Sequence, residues 1–400
     1  MKTPLAERRQ AERSARGRHP TSRRSPDGRG PQVRRRRFSP LFGLLVVLGF
    51  GLSLYGLVMV LSASSGDALG GGDPWSAFRR QSLWLLAGLV AALFTSRLDY
   101  RLWRERFSVP LLIVTAALLV LVLVPQIGLS VNGARRWIGA GGFTFQPSEL
   151  AKLALIIWVA DMVTRQRRNV TSLNSTLAPI LMWTGAYAVL LVLEPDLGTA
   201  IIVCCVVFVI LYMAGASLGH LWFIAGASAC LALTLAWLAP YRRERLLAFS
   251  DPWADPLEAG YQTVQAGVAL ANGGVSGVGL GASRAKWGFV PEAHTDFIYA
   301  IIAEEFGLVG GLAVLGAFVL IGVAGFLVAH RLRQVDPFAS LVAVGITAWV
   351  VIQAFVNIGA VVGALPITGV TLPFLSAGGS SLVVTMAAYG VLLNIASHVD

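Results

Sequence analysis

The 400-residue chain contains few charged residues and very few cysteines. Only 13% of its residues are Asp, Glu, Lys or Arg, whereas 56% are hydrophobic. This composition excludes an ordinary water-soluble domain. The three cysteines, Cys204, Cys205 and Cys230, lie inside apolar runs, so a disulfide framework is excluded and they predict no metal site. Most of the chain is therefore expected to fold in lipid.

Two further patterns are missing. The apolar runs do not alternate with polar residues as the strands of a membrane barrel do, and no convincing internal repeat supports an inverted-repeat transporter. The runs are instead about 20 residues long, as a bilayer-crossing helix requires. The sequence predicts an all-α polytopic membrane protein of about ten transmembrane helices, at 41–63, 81–96, 108–126, 149–164, 176–193, 197–214, 218–239, 297–329, 338–362 and 370–395.

Acidic residues are scarce in the first 37 positions, which hold thirteen Lys and Arg but three Asp and Glu. This segment carries most of the formal net charge of +11 and ends in four arginines directly before the first apolar run. That arrangement is typical of a cytoplasmic anchor rather than of nucleic-acid binding. With few large apolar groups, residues 1–38 are expected to be a disordered basic tail. Residues 39–400 are expected to form the transmembrane domain.

Basic residues also predict the orientation of the spans. With the tail inside, most Arg clusters fall in cytoplasmic loops, as the positive-inside rule requires. An even number of spans returns the C-terminus to the cytoplasm, so both termini are expected there. The segments left outside are 127–148, the long loop 240–296 between helices 7 and 8, and the turn 363–369. The residues that carry out the reaction are expected on this extracytoplasmic side of the cytoplasmic membrane.

In the loop 240–296, Asp251 and Asp255 are each followed by proline. Proline disfavours helical backbone at the preceding residue, so both carboxylates are expected in extended or turn conformations. Each fits two interpretations, an Asx-turn at the membrane surface or a catalytic carboxylate.

Further ionisable residues stand where this loop enters the next span. Glu304 and Glu305 lie within the span, and because a carboxylate in hydrocarbon is costly, at least one is expected to line a polar interior. Thr295 or Asp296, just before the span, is a candidate to cap the helix.

Two pairs of charged residues occur earlier in the chain. Glu149 and Lys152 share one helix face, either as a surface ion pair or inside a cavity. Arg135 and Arg136 fall outside the membrane against the positive-inside rule, where they fit binding of a pyrophosphate or of a lipid headgroup.

Two polar interruptions complete the set of candidates. Glu194 and Asp196 flank a proline between two spans, which fits a capped hairpin turn or a place beside the other external groups. Residues 364–381 are rich in Pro, Gly and Ser where a span opens, which fits backbone lining a cavity or helix packing through small residues.

Taken in chain order, these stretches resemble the SEDS family, named for shape, elongation, division and sporulation. The resemblance covers residues 41–395, and the basic tail lies outside it. Its Pro291–His294 stretch and long tail are more similar to the division branch than to the elongation branch. The most specific matches are Gln146-Pro147-Ser148-Glu149 with Lys152, Glu194-Pro195-Asp196-Leu197-Gly198-Thr199, Asp255-Pro256 with Gly260-Tyr261-Gln262, His294-Thr295-Asp296-Phe297, and Gly378-Gly379-Ser380-Ser381.

The resemblance implies a peptidoglycan glycosyltransferase that polymerises lipid II during septal cell-wall synthesis. The expected partners are lipid II, a class B penicillin-binding protein with FtsI-like transpeptidase activity, and other divisome membrane proteins, with no nucleic acid. A lipid II flippase and an elongation-type polymerase are the alternatives.

An inverting transfer needs one general base and stabilisation of charge on the departing pyrophosphate. The resemblance assigns the base to Asp255 rather than Asp251. The pyrophosphate is expected to be held by cationic side chains or by a divalent cation, Mg or Mn, and no organic cofactor is expected. The residues expected to bind substrate are Arg135, Arg136, Glu149, Lys152, Asp196, Tyr261, Gln262, His294, Glu305, Ser376, Gly378, Gly379 and Ser380.

Overall fold

The computed structural model describes residues 39–399, except 66–72, 74, 132, 141–142, 167–171 and 239. The predicted basic tail, residues 1–38, lies outside the described residues. The described chain is mostly helical, which confirms the all-α prediction. Its helices are α1 (Pro40–Ser64), α2 (Ser76–Arg97), α3 (Tyr100–Leu123, with π-helical Trp103–Phe107), α4 (Pro147–Arg165), α5 (Ala178–Leu193, after the π-helical turn Leu173–Leu177), α6 (Leu197–Met213), α7 (Leu218–Leu238), α8 (Pro240–Ser250), α9 (Tyr261–Gly273), α10 (Ile298–Leu332), α11 (Pro337–Val361) and α12 (Ser380–Ala396).

Ten of these helices, all except α8 and α9, overlap the ten predicted spans. Within the described residues, α1, α3, α5, α10 and α11 are long and apolar enough to cross a membrane, and α6 and α12 are shorter apolar helices. By contrast, α4 carries four charged residues in 19 positions, which lowers its hydropathy. The chain is thus a multi-pass membrane protein whose less apolar helices bring charge into the bundle.

Helix α11 lies at the centre of the bundle. In its most apolar window 78% of residues are buried inside the protein, compared with 28% for α3 at the periphery. It packs against α4, α6, α10 and α12. Large side chains on outer helices, such as Val47 and Phe94, remain exposed in the monomer, as expected for surfaces that face lipid. Polar side chains carried by α11 are therefore shielded from both lipid and water.

The span predicted at 297–329 is interrupted rather than continuous. Gly307 has φ 65° and ψ −162°, which breaks the helical backbone of α10. A loop from residues 240–296 fills the break, because the Leu308 amide donates to Gly274 O at 2.9 Å. A Cβ at Gly307 would lie 2.4 Å from the Gly277 nitrogen, so only glycine permits this approach. The 240–296 loop is thereby anchored inside the bundle.

The segment 127–148 forms a small antiparallel sheet that the sequence did not predict. Its strands are β1 (Gly128–Val131), β2 (Ala134–Ala140) and β3 (Phe143–Phe145), in the order β1-β2-β3. The β1–β2 register shifts between Leu129 and Ser130, which pair with Trp137 and Arg135. Arg136 is the extra residue of this bulge, a device that re-aims a side chain.

The last span is also shorter than predicted. We expected a helix over 370–395, but α12 begins only at Ser380, after Gly379 with φ 41°. Residues 362–379, called the 362–379 segment below, are largely non-helical and connect α11 to α12. Their backbone N–H and C=O groups therefore need hydrogen-bond partners on neighbouring helices.

Candidate active site at the loop-bearing end of the bundle

Polar side chains concentrate at one end of the bundle, which we call the loop-bearing end. At this end α3 leads into the sheet, α5 turns into α6, α7 leads into residues 240–296, and α11 leads into the 362–379 segment. Three groups of contacts are found there.

The first group surrounds Lys152 on α4. Its Nζ lies 2.9 Å from Glu149 Oε1 and 2.7 Å from Gln353 Oε1, and 4.7 Å from the centre of the Trp349 ring. Lys152 is 2% exposed and Glu149 is 4% exposed. The surface interpretation of this ion pair is therefore wrong: α11 covers it. A charge pair buried in this way depends on each partner for its stability.

The 362–379 segment is held by amide side chains of α11. Gln353 donates from Nε2 to the Thr371 carbonyl at 2.9 Å and also accepts from Trp349 Nε1 at 2.7 Å. Asn357 donates from Nδ2 to the Val370 carbonyl at 2.7 Å. These bonds satisfy backbone groups that no helix pairs, so the segment is fixed against Lys152 and its neighbours.

The predicted binding residues in this segment occupy structural positions. Ser376 Oγ donates to the Thr295 carbonyl at 2.7 Å and accepts from the Leu372 amide at 2.8 Å. The His294 carbonyl accepts from the Ala377 amide at 2.9 Å. These contacts join the segment to the start of α10. At Gly378 and Gly379 an added Cβ would approach Ser381 and the Trp84 ring to 3.2 and 3.3 Å respectively, so both glycines allow close packing.

The second group surrounds Arg136 in the β-bulge. Its guanidinium donates to the carbonyls of Glu194 and Pro195 and lies 3.9 Å from Asp196 Oδ1. Asp196 also caps α6 by accepting from the Thr199 amide at 3.2 Å. The turn is therefore both capped, as in the simpler interpretation, and part of the polar cluster.

Glu194 is fully buried in this turn, and neither carboxylate oxygen has a hydrogen-bond partner among the described residues. Burial, the largest cause, and the neighbouring Asp196 carboxylate together raise the pKa of Glu194 to about 8, although Arg136 opposes the change. Glu194 is consequently the carboxyl of this cluster that resists ionisation.

The second group reaches α12 through Gln146. The Gln146 amide nitrogen donates to Ser380 Oγ at 3.1 Å, and its side-chain Nε2 donates to Asp196 Oδ2 at 3.3 Å. Arg135, in contrast, is exposed. The structure thus brings Arg136, Asp196 and Ser380 together and leaves Arg135 outside.

The third group is built around the acidic pair of α10. Glu304 is 1% exposed and accepts from the hydroxyl of Ser283 and from the amides of Arg284 and Ala285, the last two at 3.2 and 3.1 Å. The carboxylate therefore sits in a cradle of donors from the 240–296 loop. Such a cradle stabilises an anion that would otherwise be costly to bury.

Glu305 completes this group. Its Oε1 accepts from Ser62 Oγ at 2.6 Å and lies 3.8 Å from Lys286 Nζ, and Glu305 is 1% exposed. Lys286 is itself buried and donates to the Gly281 carbonyl. Both glutamates thus face a polar interior shared by α1, α10 and the loop.

The capping role predicted for Thr295 or Asp296 is wrong. The N-cap of α10 is Phe297, with no side-chain cap. The Thr295 hydroxyl instead bonds to Glu292, one turn earlier, at 3.0 and 3.1 Å. The Thr295 hydroxyl thus bonds within the turn that precedes α10 and does not cap the helix.

Asp255 lies exposed in a turn directly before α9. Its Oδ1 and Oδ2 accept from the amides of Glu258 and Ala259 at 3.2 and 3.3 Å. Asp251 forms a similar turn by accepting from the Trp253 amide at 3.1 Å. Both aspartates therefore form Asx-type turns. A carboxylate has about four acceptor positions, so Asp255 retains some for a substrate proton.

The turn that contains Asp255 is tight and leads into α9. Tyr261 and Gln262 begin α9, and both are half-buried. An added Cβ at Gly260 would lie 2.1 Å from the Pro252 carbonyl, which shows how tightly the turn closes. Among the described residues, no hydrogen bond or ion pair joins Asp255 to Arg136 or Lys152. Substrate would have to bridge the exposed carboxylate and the buried groups.

Within the described part of the chain, no group of three or more His, Cys, Asp or Glu side chains converges as metal ligands. A magnesium ion shared with a pyrophosphate needs only one or two protein carboxylates. The divalent cation therefore stays a prediction; Asp196 Oδ1 lies 3.9 Å from Arg136 Nη1.

Sequence reasoning missed several residues of these groups. Gln353 and Asn357 lie within an apolar run, and Lys286 and Ser283 lie in a glycine-rich stretch. A buried amide in a transmembrane helix is itself a signal of a polar contact. Its partner on another segment was not readable from the pattern.

Known proteins are similar to this chain in sequence and in fold. A family model described as cell cycle protein, FtsW/RodA/SpoVE, matches residues 43–400. Stage V sporulation protein E of Bacillus subtilis (strain 168) is 40% identical over 358 residues, which cover 89% of this chain and 96% of that protein. A probable peptidoglycan glycosyltransferase FtsW of Nitrosococcus halophilus is 40% identical over 355 residues, 88% of this chain and 91% of that one.

Solved structures extend the similarity to three dimensions. A chain of a peptidoglycan synthase complex, solved to explain how polymerization and crosslinking are coordinated, is 34% identical with a TM-score of 0.71, covering 88% of this chain and 96% of that one. Rod shape determining protein RodA of Thermus thermophilus is 30% identical with a TM-score of 0.63, covering 88% and 95%. The chain therefore belongs to the FtsW/RodA/SpoVE family.

Proposed function

We propose that this protein is a peptidoglycan glycosyltransferase that polymerises lipid II, with Asp255 as the general base. The observation that carries the proposal is the pairing of an exposed, turn-held carboxylate with buried cationic clusters at the same end of the bundle. Relatives that are about 40% identical over most of the chain are named as such glycosyltransferases, which supports the same activity.

The reaction forms one glycosidic bond and breaks one. The 4-hydroxyl of an acceptor GlcNAc attacks the anomeric carbon of the donor MurNAc, Asp255 takes the hydroxyl proton, and undecaprenyl pyrophosphate leaves with the electrons of the broken C–O bond. Because an α-linked donor becomes a β-linked product, one base suffices and no covalent intermediate is needed. Arg136 and Lys152 supply positive charge toward the leaving group.

The depth of the ionisable residues favours this function over a transporter. Lys152 is five residues beyond the start of α4, and Glu305 is seven beyond the start of α10. At 1.5 Å per residue these positions lie about 8–11 Å from the helix ends. Transporters instead place their substrate sites near the bilayer midplane.

The finer assignments follow from the same proposal. The loop-bearing end faces the outside of the cytoplasmic membrane, where lipid II is polymerised, and both termini lie in the cytoplasm. A class B penicillin-binding protein is the partner, in line with the structural similarity to a chain of a synthase complex that couples polymerization to crosslinking. We place the protein at the division septum, with other divisome proteins.

The test compares two aspartates of one loop. Purified wild type, Asp255→Ala and Asp251→Ala are incubated with lipid II, alone and with a class B penicillin-binding protein, and glycan strands are separated by electrophoresis. We expect Asp255→Ala to lose polymerisation by at least about 100-fold, the lower range for a general base, and Asp251→Ala to retain it. Retained activity in Asp255→Ala removes the assignment of the base. Transport of lipid II without strand formation by the wild type supports the flippase instead.

A further inference from the structure

The turn that carries Asp255 is attached to helix α9. Residues 251–259 are largely exposed, and among the described residues their hydrogen bonds remain within residues 247–261. The turn closes directly onto α9, because the Gly260 amide donates to the Asp255 carbonyl at 2.9 Å. On the other side of the turn, α8 packs mainly against α7. The position of the Asp255 carboxylate over the bundle therefore depends on where α9 lies.

Helix α9 connects this turn to the centre of the bundle. It contains 13 residues, Tyr261–Gly273, and is about 20 Å long at 1.5 Å per residue. It packs against α10 and α11, with Val264, Ala266 and Ala269 buried. Helix α11 is also the helix whose Gln353 bonds to Lys152. One short helix thus spans the distance between the exposed carboxylate and the helices that hold the buried groups.

The far end of α9 is in direct backbone contact with α10. A Cβ at Gly273 would lie 2.0 Å from the Ala303 carbonyl oxygen and 2.9 Å from Glu304 Cα. A backbone neighbour cannot rotate away as a side chain can, so a single methyl group here would push the two helices apart. Just beyond the helix end, the Val278 amide donates to the Glu304 carbonyl at 3.0 Å.

The Glu304 carboxylate completes this contact. Its Oε1 accepts from Asn272 Nδ2 at 3.4 Å and from the Arg284 amide at 3.2 Å. Its Oε2 accepts from the Ser283 hydroxyl and from the Ala285 amide. One buried carboxylate therefore bonds both to the end of α9 and to the returning part of the 240–296 loop. We call Asn272, Gly273, Ala303 and Glu304 the α9–α10 joint.

We propose that the α9–α10 joint sets the position of Asp255 through α9, and that Glu304 is a positioning residue for the transfer reaction. The inference rests on the proposed function, because it takes Asp255 as the general base. A misplacement of about 1 Å can cost about 100-fold in rate. Loosening the joint should therefore lower kcat while Asp255 itself and the cationic groups that face the substrate remain in place.

Two glycines of α9 provide a matched test. Gly273→Ala places a methyl group inside the joint, whereas Gly267→Ala adds the same group to the same helix where nothing lies within 4 Å. Glu304→Asp is the second variant, since it keeps the charge but draws the carboxylate back from Asn272. The kcat and the KM for lipid II are measured with the purified full chain, and glycan strands are separated by electrophoresis.

A distance measurement reports the position of the turn without reference to activity. Spin labels are attached through Leu257→Cys in the turn and Val335→Cys between α10 and α11, which are 83% and 81% exposed, in a background without the three native cysteines. The overlap in Gly273→Ala requires a movement of about 1–2 Å, because non-bonded heavy atoms settle about 3.5–4.0 Å apart. Electron paramagnetic resonance should detect it as a shifted or broadened label distance.

We expect Gly273→Ala and Glu304→Asp to lower kcat about 10- to 100-fold, to keep KM within about twofold of wild type, and to change the label distance. Gly267→Ala should match wild type in all three. Should Gly273→Ala fail to fold, Glu304→Asp decides the question. Equal kcat in the two glycine variants, a wild-type kcat in Glu304→Asp, a loss carried by KM, or an unchanged label distance overturns the proposal. A wild type that forms no glycan strands removes the proposed function instead, and the label distances still decide whether the joint positions the turn.

Discussion

Lys152 donates a hydrogen bond of 2.7 Å from Nζ to Oε1 of Gln353, which joins α4 to α11 in the buried interior. The same amide donates to the Thr371 carbonyl at 2.9 Å. One side chain thus connects a buried cation to the 362–379 segment. The stability of the loop-bearing end should depend on it.

The first prediction concerns Gln353. Gln353→Leu removes one of the two hydrogen-bond partners of Lys152 and the partners of the Trp349 indole and the Thr371 carbonyl, so we expect a loss of about 2–4 kcal/mol in the free energy of unfolding. Thermal unfolding of the purified protein in detergent measures it. Gln334→Leu, at an exposed position, is the control and should be near neutral. Equal stability of the two variants would contradict the prediction.

The second prediction concerns the buried ion pair. Lys152→Met leaves the Glu149 carboxylate buried without its cation, so we expect a loss of about 3–5 kcal/mol. The double variant Glu149→Gln with Lys152→Met removes both charges and should recover much of that stability. Chemical or thermal unfolding of both proteins tests this coupling. A double variant no more stable than Lys152→Met would show that the charge pair is not the cause.

The third prediction concerns the contacts that anchor the 240–296 loop to α10. Glu304→Ala removes the acceptor for Ser283, Arg284 and Ala285, so residues 274–286 should open more often. We expect limited proteolysis there to accelerate about tenfold or more, because each 1.4 kcal/mol of lost local stability changes the open population tenfold. Glu244→Ala, at an exposed position on α8 in the same 240–296 stretch, should be cleaved at the wild-type rate. Unchanged cleavage of Glu304→Ala would rule out the anchoring role.

The fourth prediction concerns pH. The pKa of Glu194 is raised from 4.5 to about 8 by burial and by Asp196. Between these values the folded protein keeps a proton that the unfolded chain releases, so this group makes stability fall as pH rises from about 4.5 to about 8, with no further change above. Glu194→Gln keeps the site neutral and should stabilise the protein by about 2–4 kcal/mol at pH 8 but little at pH 4.5. Unfolding measured across this range checks it; parallel pH curves for variant and wild type would contradict it.

Much of the helix pattern was predictable because it is local. The length of an apolar run and its Gly, Pro or charged ends identify a span without reference to any other part of the chain. The predicted span 149–164 agrees closely with α4, Pro147–Arg165. The break at Gly307 and the late start of α12 were missed, because each depends on a loop that packs there from elsewhere.

The candidate site was predictable in part. Residue types and their place between or within the apolar runs identified Asp255, Arg136, Asp196 and the glutamates of α10 as candidates. A β-bulge turns Arg136 inward and leaves its neighbour Arg135 exposed. The position of α11 buries the Glu149–Lys152 pair. Neither feature has a signature in the local sequence.

The sequence by itself determined the membrane-spanning architecture and the set of polar residues that hydrocarbon would not tolerate without partners, because the free energy of placing a residue in lipid depends on that residue and its immediate neighbours. Only the tertiary structure decided which partners they take: Gln353 for Lys152, the 283–285 amides for Glu304, and the α5–α6 turn for Arg136. Such contacts join residues far apart in the chain, and packing of whole helices sets their geometry.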